Sequence, residues 1–179
     1  MPLKSFLGGV LFCFAVQLSA QQLFPSLQTL TLGDKTRNLP STATDRKMVV
    51  GLAFSAAAEK HLRDWGQPLY NALIADAMGG MMGGNMYGAD VAFVFVTTGL
   101  AKLASGELKE RAKKNIDRKL QDYFMMCDAD ADLLCSSLGI TNKKEPCFFV
   151  LNGKGVILFK TSGAYSEKKL NEITDKLLE

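Results

Sequence analysis

Lys47-Met48-Val49-Val50-Gly51-Leu52-Ala53-Phe54-Ser55 is the stretch whose reading decides the fold, together with Ala56-Ala57-Ala58-Glu59-Lys60 behind it. A charged residue gives way to an unbroken apolar run. The run stops at a small polar residue, and a helix start follows. An apolar run without alternation predicts a strand buried on both faces, the central strand of an α/β sheet. In such sheets chemistry gathers where the carboxyl end of a strand feeds a helix N-terminus. Here that place holds Ser55, Ala56 and Ala57, and no cysteine occurs from Met48 through Trp65.

Working outward, the helix that follows places Leu62, Trp65, Leu69, Leu73 and Ala77 on one stripe, with Ala58 on the same side. Gly66-Gln67-Pro68 interrupts it, and a proline inside a helix predicts a kink near Asp64 to Gly66. Val91 to Thr97 is a second buried strand. Gly106 to Leu120 predicts an amphipathic helix on Leu108, Ala112, Ile116 and Leu120. Asp122 to Cys127 reads as a short strand at the edge of the sheet. Asp128 or Asp130 then caps a short helix with Ala131, Leu134 and Leu138 inward, ended by Gly139. Pro146 opens the strand Cys147 to Leu151, and Asn152-Gly153-Lys154-Gly155 turns it back as a hairpin. Ser166 caps a last helix with Leu170, Ile173, Leu177 and Leu178 inward. Upstream, Leu27 to Leu32 alternates as an edge strand, Gly33-Asp34-Lys35 turns, and Asn38-Leu39-Pro40 closes a small hairpin. Right-handed crossovers make the two long strands parallel. The expected fold is a single α/β domain over 27–179 with a mixed sheet, helices on both faces and an N-terminal edge hairpin.

The first twenty residues read as a signal peptide. They have a basic start at Lys4, an apolar core from Phe6 to Leu18 too short for an ordinary membrane span, and a cut after Ala20. Residues 21–26 read as a loose leader. The expected location is the periplasm or the extracellular space. Lys4 is the one charge removed, so the remainder carries 20 basic and 18 acidic residues. That near balance is no footprint for nucleic acid, and no later stretch is apolar and long enough for an integral membrane segment. Cys127, Cys135 and Cys147 remain, too few for a disulfide framework, so the fold must rest on its apolar core.

From Leu27 to Glu179 the chain resembles the thioredoxin-like fold, a three-layer sandwich, in the secreted variety that shares a β-α insertion with the peroxiredoxins. The resemblance is carried by the Lys47–Ser55 strand, Pro68, the Tyr123–Leu138 insertion, Pro146 opening a strand, Asn152-Gly153-Lys154-Gly155 and Tyr165-Ser166-Glu167-Lys168-Lys169-Leu170. It implies a cis Glu145–Pro146 bond beside the redox site. Redox members carry Cys-x-x-Cys or one peroxidatic cysteine at the first strand-to-helix junction, where the helix N-terminus acidifies a thiolate. This chain has neither. Relatives without the cysteines serve in assembly or binding. That implies a recognition groove lined or supported by Ser55, Ala56, Ala57, Glu59, Lys60, Trp65, Glu145 and Pro146, for a protein partner and with no cofactor.

Other candidates compete with plainer roles. Cys127, Cys135 and Cys147 act as small buried hydrophobes, or Cys147, or a Cys127/Cys135 pair, serves a divergent thiol oxidoreductase or peroxidase. Met78, Met81, Met82 and Met86 in a Gly-rich stretch offer thioethers to Cu(I), or fill a core edge. Asp128-Ala129-Asp130-Ala131-Asp132 imitates the start of a calcium loop. Leu133 stands where its glycine should be, and Gly139 where its glutamate should be. His61, the single histidine, has no nucleophile assigned by spacing. The Lys109–Lys119 cluster is broken by acidic residues and reads as a solvated helix face.

Overall fold

The computed structural model describes residues 21–41, 45–75, 87–97 and 106–179. Seven strands form one sheet: β1 (Leu27–Thr31), β2 (Thr36–Leu39), β3 (Lys47–Ala53), β4 (Ala89–Thr97), β5 (Phe124–Asp128), β6 (Cys147–Leu151) and β7 (Ile157–Ser162), in the order β2-β1-β5-β4-β3-β6-β7. β3, β4 and β5 run parallel, while β6 is antiparallel to β3 and β7 to β6. The opening stretch is therefore a core strand with a partner on each side, as its unbroken apolar run requires.

Two neighbouring strand positions point to opposite faces, and this splits the core in two. One face takes Val49 and Ala53 of β3, Phe93 and Phe95 of β4, Phe124 of β5 and Phe148 of β6. It is covered by α1 (Ala56–Tyr70) through Ala58, Leu62, Trp65 and Leu69, and by α4 (Glu167–Leu178) through Ile173 and Leu177. Gly66 permits that docking, because a Cβ there would lie 3.0 Å from the Phe124 ring. The other face takes Val50, Leu52, Val94, Met125, Cys127, Cys147 and Phe149. Over it lie α3 (Ala131–Ser137), through Leu134, Cys135 and nearby Leu138, and Phe24.

Several expectations are corrected. β1 is not the edge: it sits between β2 and β5, so β5, which ends just past Cys127, is interior as well. β5 starts at Phe124, not Asp122. α1 runs through Pro68 without interruption, and the departure from regular winding follows it, as a wider π turn over Asn71–Ala75. The helix expected over 106–120 is α2 (Gly106–Lys114), followed by a separate 3₁₀ turn at Arg118–Leu120. Side-chain amides end it: Asn115 donates to the Arg111 carbonyl and Gln121 to those of Lys113 and Ile116, supplying carbonyls that a helix end leaves unpaired. Ile116 and Leu120 are buried all the same.

The 21–26 segment is not loose. Phe24 is buried and meets Phe149 edge to face, its N–H donates to Gly155, Gln22 accepts from the Ile157 N–H, and Leu23 bridges Val156. The cis peptide bond among the described residues is Leu39–Pro40, and Glu145–Pro146 is not cis. The trans form is the one that an X–Pro bond intrinsically favours. Residues 1–20, Ala77, and Met78, Met81, Met82 and Met86 lie outside the described residues, as does the side chain of Leu108.

Candidate functional site

The carboxyl end of β3 meets the start of α1 at Ser55. Its backbone is extended (φ −153°, ψ 161°), so the residue stands outside the helix and caps it. The hydroxyl accepts from the Ala58 N–H at 3.2 Å and donates to the Lys143 carbonyl at 2.8 Å. One side chain thus fixes the helix start and ties it to the loop leading into β6. Its proton goes to a backbone carbonyl and not to a base, so the hydroxyl is not set up as a nucleophile. Ala56 and Ala57 are exposed beside it.

Pro146 is buried, and its carbonyl accepts from the Gly163 N–H at 2.9 Å. The Gly163 carbonyl in turn accepts from Trp65 Nε1 at 3.1 Å. Gly163 has φ +105°, a conformation open to glycine. A Cβ there would stand 2.7 Å from Lys169 Nζ and 3.6 Å from Glu145 Oε2. The pole therefore brings together Ser55, Ala56, Ala57, Glu145, Pro146, Gly163 and Lys169. Trp65 is fully buried, 4.4 Å from the Phe148 ring and 5.2 Å from Tyr165, so it supports this surface from below and does not line it. Tyr165, 39% exposed, is the aromatic that reaches solvent. The sequence reading used Tyr165 and Lys169 only for the family resemblance, and it did not place them or Gly163 at this site. An aromatic just ahead of the Ser166 cap was the available signal. Burial raises the Glu59 carboxyl above its ordinary range, and Arg63 partly offsets this.

The thiols sit on the other face of the sheet, although Cys147 directly follows Pro146. Cys127, Cys135 and Cys147 are all unpaired and buried on the face opposite α1. Burial, with Asp128 adding to it, pushes the Cys127 thiol up to about 11. Burial also raises Cys135 and Cys147, although Lys143 and Lys160 respectively oppose it. Thiols held in this way stay protonated at neutral pH, the reverse of the acidified thiolate that redox chemistry needs. Of the imitated calcium loop, Asp130 caps α3 and Asp132 pairs with Lys143. Among the described residues no group of three or more His, Cys, Asp or Glu could hold a metal ion. His61 Nδ1 lies 3.7 Å from Asp64 Oδ2, one turn along α1. A concavity of about 560 Å³ lies away from Ser55. It lies where β1 meets the carboxyl end of β5, lined by Ser26 to Leu30, Thr36 and Met126 to Ala129. Among the described residues no helix is long and apolar enough to cross a membrane.

No family model matches the chain, and no curated protein does. Solved structures do. The thioredoxin domain of a thiol-disulfide oxidoreductase from Bacteroides vulgatus superposes with a TM-score of 0.56 at 14% identity, over 90% of this chain and 99% of that one. The fold is thioredoxin-like. BsSco, a member of the Sco family of cytochrome c oxidase assembly proteins, gives 0.56 at 12% identity, over 89% and 95% of the two chains. The mitochondrial 2-Cys peroxiredoxin of Plasmodium falciparum gives 0.52 at 8%, over 88% and 93%. Identities this low speak for the thioredoxin-like architecture and leave the chemistry to the residues of the pole.

Proposed function

We propose that this thioredoxin-like chain is an exported binding or assembly module, not a thiol oxidoreductase, and that it holds a protein partner at the pole around Ser55, Ala56, Ala57 and Glu145. One observation carries the reading. The junction that would present a reactive thiol presents a serine engaged in capping and in bonding to Lys143, while Cys127, Cys135 and Cys147 are buried on the other face with raised pKa. The signal-like first twenty residues support export. The Ser55–Lys143, Pro146–Gly163 and Gly163–Trp65 bonds tie α1, the loop before β6 and the turn at Gly163 together. A preorganised surface loses less freedom on binding.

The test has two arms. Insulin reduction by the purified protein should not exceed the buffer rate, and replacing all three cysteines with serine should change nothing. A protein partner captured by the immobilised chain should stay bound in excess reductant. It should be lost with Glu145→Lys and kept with Lys119→Glu, away from the pole. Reductase activity that vanishes in Cys147→Ser, or in Cys127→Ser with Cys135→Ser, would instead establish the divergent oxidoreductase.

A further inference from the structure

β7 is the last strand of the sheet, and among the described residues no strand lies along the outer edge of its second half. Gln22–Phe24 form a strap along its start: Leu23 bridges Val156, and the Ile157 N–H donates to the Gln22 carbonyl at 2.9 Å. Beyond the strap, the pairing with β6 decides which backbone groups face out. The Gly163 N–H donates to the Pro146 carbonyl, so these two residues form a hydrogen-bonded pair, and such pairs alternate along antiparallel strands. Thr161 opposite Phe148 and Phe159 opposite Val150 therefore bond inward to β6. Lys160 and Ser162 turn their N–H and C=O groups away from the sheet. The register shift at Val150/Leu151 resets the alternation, which is why Ile157 faces the strap.

An edge strand is an open template for another chain, and proteins usually guard it with charge or proline. β7 has no proline, and Lys160 is its one charged residue. That side chain is turned aside. Its Nζ donates to the carbonyls of Leu138 and Gly139 at 2.7 Å each and stands 5.7 Å from the centre of the Phe149 ring. An ammonium has three donors, so one remains. The ion pairs among the described residues leave it without a carboxylate. Leu158 is 44% exposed, and Leu23, whose bridge partner lies two residues before it, is 65% exposed. We propose that the open half of β7 binds an extended peptide segment of a partner protein. The segment adds as a strand through the N–H and C=O groups of Lys160 and Ser162. It places an acidic side chain at Lys160 and an apolar one against Leu158 and Leu23. The unmatched charge of Lys160 and the strap's own use of this edge select that occupant. Main-chain bonds give such a complex its affinity and the alternate side chains its specificity. Ser55, Ala56, Ala57 and Glu145 take no part, so this inference holds whether or not the pole captures a partner.

The probe is a short capped peptide of alternating threonine and valine with a glutamate at its centre. At millimolar peptide, amide hydrogen exchange followed by NMR should slow at Lys160 and Ser162 and stay unchanged at Phe159 and Thr161. A peptide with lysine in place of the glutamate should bind about fivefold more weakly. One N-methylated at every amide, which has no N–H to donate, should not bind. Lys160→Glu should reverse the preference between the glutamate and lysine peptides. Should that variant fail to fold, the N-methylated peptide decides without it. Binding should survive Glu145→Lys, which separates this site from the pole. Unaltered exchange at Lys160 and Ser162, or equal binding of the N-methylated peptide, would overturn the proposal. So would slow exchange at those two amides in free protein of dimeric mass, which would put a second copy of the chain on the edge.

Discussion

The two faces of the sheet solve the same burial problem differently. On one, a fifteen-residue helix and a twelve-residue helix lie over a layer rich in aromatic rings. Phe93 stacks on Phe124 at 4.5 Å and Trp65 meets Phe148 at 4.4 Å. On the other, a seven-residue helix and the Gln22–Phe24 segment cover a layer of aliphatics, Met48 and Met125, Phe149 and three thiols. The aromatic face also holds the pole in shape, through Trp65 and Gly163, while the thiol face keeps its sulfur out of reach.

The largest expected effect tests the aromatic face. Trp65→Ala removes a fully buried ring and orphans the Gly163 carbonyl, so urea unfolding should show a loss of about 3–5 kcal/mol. A loss under about 1 kcal/mol would mean that the ring does not anchor this layer. Phe24→Ala asks the same of the opposite face. Phe24 sits at its margin with Phe149 as ring partner, so the expected loss is smaller, about 2–3 kcal/mol. Equal losses in the two variants would erase the contrast between helix and strap. The smallest effect is alkaline. The folded state keeps Cys127 protonated up to about 11, whereas the unfolded thiol ionises near its ordinary value, about 9. Native protein then holds more protons, so this contribution is fully present below pH 9 and is lost as pH rises toward 11. The slope is at most about 1.4 kcal/mol per pH unit. Stability of the native chain measured against Cys127→Ser between pH 8 and 11 isolates it. Parallel curves would show that the thiol is not held this way.

Legibility follows the same division. The Leu62, Trp65, Leu69 and Leu73 stripe, the β3 run and the Asn152–Gly155 turn were readable because each depends on residues close in sequence. The hidden parts depend on distant partners. Nothing in Leu27 to Thr31 announces that β1 will pair with β5 and so enclose it. Nothing in Gln22-Leu23-Phe24 announces Val156, and Gly163 meets Trp65 across 98 residues. Ile116 shows the intermediate case: its burial was readable from the four-residue spacing, while the end of α2 before it depends on amide side chains that capped the carbonyls.

The strap also fixes an order of events in synthesis. Gln22 bonds to the Ser137 carbonyl across 115 residues, and its own carbonyl waits for Ile157. Gln22 can thus complete its native bonds only once Ile157 has been made. Contacts this distant in sequence form late and slow the search for the native state. Until then the thiol face lacks its outermost cover, so a nascent chain stalled before Gly155 would expose Phe149 and its neighbours to proteases and chaperones.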